Sequence, residues 1–345
     1  MRNRSIVRRA AWSGLLAASL VLSNAGCSGA NKGELANGGW EEIVAAAKDE
    51  GSVIFYNGST VQQGNRLIEA FNRKYPDIAV RAERGGAEMV ARVEAQISSG
   101  ADGADVYLLG DTEWFREKTD AFLPLDGGPG IEGLDEKAWA VKGKAPVAST
   151  SPYSMFVWNT EIFPDGFADY GDFLDEAARG RLAMRGDASK SAAGFLDFLD
   201  RSVGKDYLRQ IGALEPKLYP SVVPATEAVA SGEVGATIAA LPPQVFGMIA
   251  AGAPIDYTYP NPGYAFEYGV GALQNAHRPN AAVVFTDFMM SPEGQAALNG
   301  DQYGIASRPD VPGAVNPQGW QRLDSAAFTP EVLNDWNAKI DEYLQ

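Results

Sequence analysis

The chain has 345 residues and carries 29 lysines and arginines against 44 aspartates and glutamates, a formal net charge of -15. Nucleic acids and anionic membrane surfaces are bound by clustered lysines and arginines, so this balance excludes both as expected partners. The length exceeds what one hydrophobic core usually fills, which predicts two domains. With a single cysteine, no disulfide can form within the chain.

Residues 1–26 have the pattern of an export signal. Four arginines precede an apolar run from Ala10 to Leu22. This run of roughly 13 residues is too short to cross a bilayer, and small residues follow it as a signal peptidase requires. We therefore expect a signal peptide that is removed on export.

The single cysteine, Cys27, directly follows Ala25 and Gly26. This segment resembles the lipobox of bacterial lipoproteins, although Asn24 stands where an aliphatic residue is usual. The resemblance implies a lipid anchor at Cys27 that holds the protein on the membrane. An ordinary secretory signal is the alternative, and it predicts export as well. Residues 27–39 are small and polar, which predicts a flexible tether that buries nothing.

From residue 40 the sequence alternates between helical and extended patterns. Strands about 25 residues apart with helices between them imply a parallel sheet with right-handed crossovers. Ligands of such sheets bind beyond the carboxyl ends of the strands. The predicted elements are a helix from Trp40 to Lys48, a strand from Val53 to Tyr56, a helix carrying Leu67 and Phe71, an extended stretch from Ile78 to Ala82, a helix carrying Val93 and Ile97, and a strand from Val106 to Leu109.

Short polar loops follow these strands and lead into helices. Their residues leave backbone N–H groups free to meet a ligand. No loop matches a dinucleotide fingerprint or a P-loop, so no nucleotide and no other cofactor is expected. The candidate ligand-binding residues in these loops are Ser59, Thr60, Gly86 and Asp111.

A second α/β unit follows, with predicted strands at Leu182–Met184, Ala236–Ala240 and Ile255–Tyr259. Two of its polar loops precede helices and could offer hydroxyls, amides and one ammonium group to a solute. A final helix is predicted from Pro330, with Thr329 as its N-cap. The candidate ligand-binding residues of this unit are Ser189, Lys190, Ser191 and Ser221.

Several segments of the mature chain stand in the order and spacing of one protein family. They are Gly51 to Tyr56, Asp105-Val106, Tyr219 to Ser221, Ala228 to Val234, Gly252 to Pro254, His277 to Ala282, Phe285, Asp287-Phe288 and Ser291 to Gln295. The chain resembles the substrate-binding lipoproteins of ABC importers, in the ferric-iron-binding-protein-like branch of periplasmic binding proteins.

This resemblance implies an α/β, type II periplasmic-binding fold of two lobes, each a mostly parallel sheet flanked by helices. The ligand cleft lies between the lobes, which close by hinge motion. The implied boundaries are 40–149 plus 269–304 for lobe 1, 159–256 plus 305–345 for lobe 2, and 150–158 and 257–268 for the hinge crossings.

The same resemblance implies a monomeric solute-binding protein that is not an enzyme. It would be exported to the periplasm or the cell surface and would deliver a small-molecule solute to an ABC permease and its ATPase. Ferric members of the branch hold iron with adjacent tyrosines after the strand equivalent to Ala236–Ala240. This chain has Leu241, Pro242 and Pro243 there, and none of them offers the hard anionic oxygen that iron(III) prefers.

An anionic or hydroxylated solute, of the phosphonate or sugar phosphate type, is therefore the expected ligand rather than bare Fe(III). Hydroxyls beside helix N-termini suit such a solute, although the same hydroxyls can serve only as helix caps. Polyamine, thiamine or iron(III) binding by the same fold is the alternative. A cationic solute would use three acids, Asp111, Glu113 and Glu267. Aromatic faces would come from Trp114, Tyr264 and Phe266.

Two further alternatives stay open, a secreted enzyme with a carboxylate pair and a sensor lipoprotein that does not transport. No nucleophile elbow and no HExxH motif supports catalysis. The single histidine, His277, is expected in an exposed loop with neither a metal nor a catalytic role.

Overall fold

The computed structural model describes residues 33–86, 88–309, 311–315 and 319–344. The predicted signal peptide and Cys27 lie outside the described residues, as does the first part of the predicted tether. No helix in the described part of the chain has both the length and the apolarity needed to span a membrane.

The described residues form two sheets with helices packed around them. The strands are β1 (Ser52–Asn57), β2 (Ala79–Arg84), β3 (Val106–Leu109), β4 (Trp139–Val141), β5 (Ala145–Pro152), β6 (Ser154–Asn159), β7 (Leu182–Arg185), β8 (Lys217–Tyr219), β9 (Ala236–Ala239), β10 (Ile255–Thr258), β11 (Tyr264–Ala272) and β12 (Gln321–Arg322). The helices are α1 (Trp40–Glu50), α2 (Val61–Lys74), α3 (Met89–Ser99), α4 (Thr112–Glu117), α5 (Lys190–Phe198), α6 (Tyr207–Ala213), α7 (Val222–Ala230), α8 (Pro242–Ala250), α9 (Pro279–Met290), α10 (Pro292–Asn299) and α11 (Pro330–Leu344).

The first sheet has the strand order β2-β1-β3-β11-β5-β4, with β12 beside β11. Strand β1 runs parallel to both β2 and β3, so the predicted β-α-β-α-β unit is confirmed. Strand β11 is antiparallel to β3 and β5. The sheet is therefore mixed rather than mostly parallel, because chain segments that return from the other sheet add strands of opposite direction.

The second sheet has the order β10-β6-β9-β7-β8. Strands β8 and β9 lie parallel to β7, whereas β6 is antiparallel to both β9 and β10. The carboxyl ends of β7 and β9 lead into the chain before α5 and into α8, respectively. The second sheet thus presents its strand ends and its helix N-termini at one edge, as the first sheet does.

Two crossings join the sheets. Strand β5 passes into β6 through Tyr153 alone, and β10 returns to β11 through residues 259–263. The Tyr153 N–H donates to the Tyr264 carbonyl oxygen at 2.9 Å, and the Tyr264 N–H donates to Ser154 Oγ, also at 2.9 Å. The crossings therefore lie side by side and are bonded to each other. The lobe boundaries given above stay a prediction.

Aromatic clusters form much of the core around both sheets. Phe285 of α9 makes edge contacts with Phe55 and Phe71, with ring centroids 5.0 and 4.9 Å away. Around the second sheet, Phe173 packs against Phe156 and Phe167. Burial of these rings supplies the hydrophobic stabilisation of a chain without disulfides.

The structure confirms the final helix that was predicted from the sequence. Helix α11 begins at Pro330, and Thr329 Oγ1 accepts a hydrogen bond from the Val332 N–H at 3.4 Å. Its buried stripe contains Trp336, Ile340 and Leu344 and packs beside Leu208 of α6. The C-terminal helix is therefore part of the structure around the second sheet.

The prediction that residues 27–39 bury nothing is wrong for the described end of that stretch. The Gly33 N–H donates to the His277 carbonyl oxygen, and the Ala36 N–H donates to Asn280 Oδ1 at 2.9 Å. Leu35 is half-buried against the core. Composition alone missed this contact, because the acceptors belong to a segment more than 200 residues away.

Candidate solute-binding cleft

An aromatic wall, formed by Tyr153, Phe266 and Tyr268, lies where the two crossings meet. The ring of Phe266 is 5.1 Å from that of Tyr268 and 6.0 Å from that of Tyr153, between centroids. All three side chains are buried. Burial raises the pKa of Tyr268 to about 12, so its hydroxyl stays protonated at neutral pH. The wall therefore lies at the junction of the two sheets.

The loop after β3 reaches this wall because residue 110 is glycine. A Cβ atom at Gly110 would lie 3.0 Å from the Phe266 ring and 3.2 Å from the Tyr268 ring. Asp111 follows and caps α4, where its Oδ1 accepts a hydrogen bond from the Glu113 N–H at 3.1 Å. The Asp111 carboxylate is thereby held beside the aromatic wall.

Asp111 forms an ion pair with Lys190, the first residue of α5. Lys190 Nζ lies 2.8 Å from Asp111 Oδ2, and the two side chains are 35% and 23% exposed. Asp111 follows a strand of the first sheet, and Lys190 begins a helix over the second sheet. The sequence suggested Lys190 for an anionic solute and Asp111 for a cationic one, and the structure pairs them with each other.

Ser59 and Thr60 lie between β1 and α2, as predicted. Ser59 is buried, and both its N–H and its hydroxyl donate to Asn57 Oδ1, at 2.9 and 2.6 Å. Thr60 forms a capping box with Gln63 at the start of α2. The helix-cap interpretation therefore holds for Thr60, and the Ser59 hydroxyl has an internal acceptor.

Gly86 lies beyond β2, where its carbonyl oxygen accepts a hydrogen bond from the Tyr107 hydroxyl at 3.3 Å. The last residue of β2, Arg84, was missed by the sequence reasoning. Its side chain is exposed, and its Nε donates to the Ser59 carbonyl oxygen at 3.3 Å. The Arg84 charge acts on buried Tyr268 and opposes the rise in the pKa of that phenol. Arg84 thus places a cation beside the aromatic wall.

Arg185 holds the corresponding position in the second sheet, at the carboxyl end of β7. Its Nε and Nη2 donate to the two Asp187 carboxylate oxygens at 2.6 and 3.1 Å, and its side chain is 21% exposed. Burial tends to lower the pKa of Arg185. Hydrogen bonding to Asp187 and the nearby Tyr153 hydroxyl outweigh burial, so the pKa is raised overall. The guanidinium therefore stays charged at the second-sheet end of the aromatic wall.

Three serines precede or begin helices around the second sheet. Ser189 caps α5 by accepting a hydrogen bond from the Ala192 N–H at 3.3 Å, and its hydroxyl lies 3.2 Å from that of Ser191. Ser221 stands at the N-cap position of α7, but its side chain makes no capping hydrogen bond. The Ser221 hydroxyl, unlike that of Ser189, is therefore not engaged in capping its helix.

Tyr264 and Glu267, both on β11, have surroundings different from those the sequence suggested. Tyr264 is buried at 3% exposure, and its hydroxyl lies against Gly194 of α5 without a hydrogen-bond partner. Glu267 forms an ion pair with Arg322 of β12 at 2.6 Å. Because side chains alternate along a strand, Glu267 points to the face of β11 opposite Phe266. The structure does not bring Glu267 to the aromatic wall.

On another side of the cleft, the loop after α10 contacts the second sheet. The Tyr257 hydroxyl donates to Gln302 Oε1 at 2.9 Å, and the ring of Phe246 stacks on that of Tyr303 at 6.0 Å. Arg66 of α2 covers the same Tyr303 ring at 4.4 Å. Together with the Asp111–Lys190 pair, these contacts connect both sheets around the cleft.

His277 is half-buried, which corrects the prediction that it is exposed. Its Nε2 lies 3.1 Å from the Gly100 carbonyl oxygen, because the loop before α9 packs on the end of α3. The adjacent Arg278 Nε donates to buried Asp105 at 2.6 Å. Among the described residues, no three His, Cys, Asp or Glu side chains are grouped to hold a metal ion.

Two α/β sheets joined by two adjacent crossings, with polar strand ends around a shared aromatic wall, define a two-lobed binding protein of the type II periplasmic class. The model of the bacterial extracellular solute-binding protein family matches residues 66–327. The chain belongs to this family, which confirms the resemblance found in the sequence. No curated protein sequence matches the chain at a significant level.

Solved structures share the fold at low sequence identity. A substrate-binding protein of an ABC transporter from Agrobacterium tumefaciens is 18% identical with a TM-score of 0.71, covering 85% of this chain and 94% of its own. AfuA from Actinobacillus pleuropneumoniae, with exogenous fructose-6-phosphate bound, is 20% identical with a TM-score of 0.65, covering 85% and 99%. Iron-bound HitA from Pseudomonas aeruginosa is 18% identical with a TM-score of 0.62, also covering 85% and 99%.

Proposed function

We propose that this protein is the solute-binding component of an ABC import system and that it captures an anionic or hydroxylated solute of the phosphonate or sugar phosphate type. One observation supports the choice of an anionic rather than a cationic solute. Arg84 and Arg185, each the last residue of its strand, place guanidinium groups at opposite ends of the aromatic wall. Guanidinium groups bind phosphate and carboxylate oxygens through paired, charge-assisted hydrogen bonds.

The cations of the cleft differ in how far they are already neutralised. Arg84 donates to a carbonyl oxygen and Arg185 to a single carboxylate. Each guanidinium has five N–H donors, so both retain donors for a solute. Lys190 is held by Asp111, and an incoming oxyanion can share or exchange that ammonium group. These three cations favour an anion.

The acids that would hold a cationic solute already have partners. Asp111 is paired with Lys190, and Glu267 is paired with Arg322 on the other face of β11. A polyamine or thiamine would have to displace these side-chain cations. Iron(III) stays the alternative suggested by the shared fold with HitA, but Leu241, Pro242 and Pro243 begin α8 without offering an oxygen ligand from their side chains.

The proposed role in transport has a simple physical basis. A solute that touches both lobes stabilises the closed arrangement by its differential affinity, and a permease can recognise that arrangement. We propose that the protein is exported, is anchored through lipidated Cys27, acts as a monomer and catalyses no reaction. The family description, as extracellular solute-binding proteins, supports export and solute capture.

Calorimetric titration of the purified exported protein tests the proposal. The panel is inorganic phosphate, methylphosphonate, fructose 6-phosphate, free fructose, spermidine, thiamine and ferric citrate. We expect saturable one-to-one binding within the phosphate and phosphonate group. A thermal-shift measurement gives an independent readout, since a solute at a hundred times its Kd adds about 2.7 kcal/mol of stability. Binding of only spermidine, thiamine or ferric citrate would overturn the proposed solute class.

A further inference from the structure

A small apolar cavity of about 20 Å³ lies between α5, α7 and the second sheet. Its walls are mostly aliphatic and aromatic side chains. The apolar residues that line it include Met184, Ala192, Phe195, Val222, Ala225 and Ile238. A cavity of this size has room for one or two non-hydrogen atoms.

The cavity lies at the edge of the sheet that carries the candidate cleft. Ala192 belongs to the first turn of α5, Val222 is the first residue of α7, and Ala239 is the last residue of β9. Arg185 and Tyr153 also line it, and both belong to the candidate site described above. Arg185, whose guanidinium is proposed to hold an anionic solute, is therefore one of the residues around this space.

The chemistry of the walls identifies the kind of group that fits. A buried water needs two to four polar partners, and cavities lined by aliphatic side chains stay dry. The Thr237 hydroxyl, also in the lining, donates to the Ala239 carbonyl oxygen at 3.3 Å. The remaining polar groups belong to Arg185, which donates to Asp187, and to Tyr153, whose hydroxyl raises the pKa of Arg185. An alkyl group suits this space, whereas a hydroxyl would lose its hydrogen bonds there.

We infer, on the basis of the proposed function, that the solute is a small amphiphilic oxyanion with an alkyl group of one or two carbons. The charged head is held at Arg185, and the alkyl group enters the cavity. Because Arg185 lines the cavity and the space admits only one or two atoms, we expect the alkyl carbon to be bonded directly to the phosphorus or carbon atom of the head group. A sugar phosphate, whose carbons carry hydroxyls, would leave the cavity empty.

Titration calorimetry with two homologous series tests the inference on the purified exported protein. The first series is inorganic phosphate, methylphosphonate, ethylphosphonate and butylphosphonate, and the second is acetate, propionate and pentanoate. Each buried carbon should tighten binding about fourfold. We expect affinity to rise to the ethyl compound and to fall at the butyl compound. The two series distinguish a phosphonate head from a carboxylate head.

A pair of matched valine variants locates the effect. Val222→Ala enlarges the cavity, so the preferred chain should lengthen toward butyl. Val229→Ala alters a buried valine of the same helix outside the cavity lining, and the preference should stay that of the wild type. Ala225→Val reduces the space and should lower the ratio of ethylphosphonate to phosphate affinity, which is measurable even if Val222→Ala unfolds.

The outcomes separate this inference from the proposed function. Binding of phosphate or acetate without any dependence on chain length would overturn the alkyl inference and leave the anion proposal standing. The same holds if Val222→Ala and Val229→Ala give identical preferences. If no member of either series binds, the inference of a small amphiphilic oxyanion is overturned. If fructose 6-phosphate also fails to bind, the proposal that the solute is an anion is overturned as well.

Discussion

Arg185 is the residue whose charge should matter most to an anionic solute. It pairs with the Asp187 carboxylate, and it lines the small apolar cavity. Replacing its guanidinium by an amide in Arg185→Gln removes charge-assisted hydrogen bonds, each of about 1.5–3 kcal/mol. We expect anion affinity to fall about 10- to 100-fold in a calorimetric titration at fixed ionic strength.

Arg179→Gln is the matched control for this prediction. Arg179 also pairs with carboxylates, those of Glu176 and Glu215, but all three side chains lie at the surface of the second lobe. Surface pairs of this kind contribute little to stability. The control should bind the solute as the wild type does, and equal affinities for the two variants would contradict a role for Arg185.

Asp287 gives a prediction about stability and pH. Burial raises the pKa of Asp287 to about 6, although the Gly130 and Ile131 N–H groups donate to its carboxylate. The native state therefore holds a proton that the unfolded chain releases near pH 4. The contribution of Asp287 to stability is full below that pH and is lost as the pH rises through about 6, a change of about 3 kcal/mol.

The comparison of wild type with Asp287→Asn isolates this contribution. The amide keeps an acceptor for the two N–H groups and does not titrate. From denaturant unfolding at pH 4 and pH 7, we expect the stability of the wild type relative to the variant to fall by about 2 kcal/mol on going to the higher pH. A difference that is the same at both pH values would show that Asp287 has no raised pKa.

At the scale of elements, the position of α5 depends on Gly194. A Cβ atom there would lie 2.0 Å from the Tyr264 hydroxyl oxygen and 2.7 Å from Leu323 Cδ1. Gly194→Ala should therefore push α5 away from β11 and move Lys190 from its partner. We expect a loss of about 1–3 kcal/mol in unfolding free energy, as overpacking usually costs.

A double variant tests whether the contact with Tyr264 causes that loss. Tyr264→Phe removes the hydroxyl, which has no hydrogen-bond partner, and so relieves the shorter of the two contacts. Gly194→Ala with Tyr264→Phe should recover part of the stability lost by Gly194→Ala, measured as a coupling energy in a double-mutant cycle. A coupling energy near zero would show that the contact with the Tyr264 hydroxyl does not cause the loss of stability.

The alternating elements of both sheets could be predicted from hydrophobic spacing, since period and strand length are local properties. The polar loops at the strand ends were selected because ligands of parallel sheets bind beyond the carboxyl ends of the strands. Arg84 and Arg185 belong to the polar stretches identified at the strand ends, but they were missed as ligand-binding candidates because the hydroxyls and backbone N–H groups of those stretches were favoured. Glu267 was misplaced because its neighbours on β11 were considered without the alternation of faces.

Other features could not be predicted, because they depend on contacts between residues that are far apart in the sequence. The Asp111–Lys190 pair joins residues 79 positions apart, and no local pattern reports such a pairing. The contact of Leu35 with the core depends in the same way on the distant start of α9. The small cavity beside Arg185 arises from how α5 and α7 pack on the sheet, and side-chain volumes alone do not fix it.

At the scale of the whole molecule, the Asp111–Lys190 pair should favour the closed arrangement. Both side chains are partly exposed, so the pair contributes at most about 1 kcal/mol. Asp111→Asn should then raise the ratio of open to closed molecules about two- to fivefold without solute. Fluorescence energy transfer between dyes on the two lobes measures that ratio.

Glu136→Gln serves as the control, because it breaks an ion pair with Lys142 that lies wholly on the surface. Its energy-transfer distribution should match that of the wild type. If Asp111→Asn gives the same distribution as Glu136→Gln, then the pair does not influence closure.

The bonds between the two crossings restrict how one sheet can move against the other. The Tyr153 N–H donates to the Tyr264 carbonyl oxygen, and the Tyr264 N–H donates to the hydroxyl of Ser154, the residue after Tyr153. Sliding would break these bonds, whereas rotation about an axis through them would not. We therefore expect the predicted lobes to rotate about an axis near Tyr153. A change of a few degrees in backbone torsion there is amplified with distance, so the groups farthest from the pivot travel most when a solute enters or leaves.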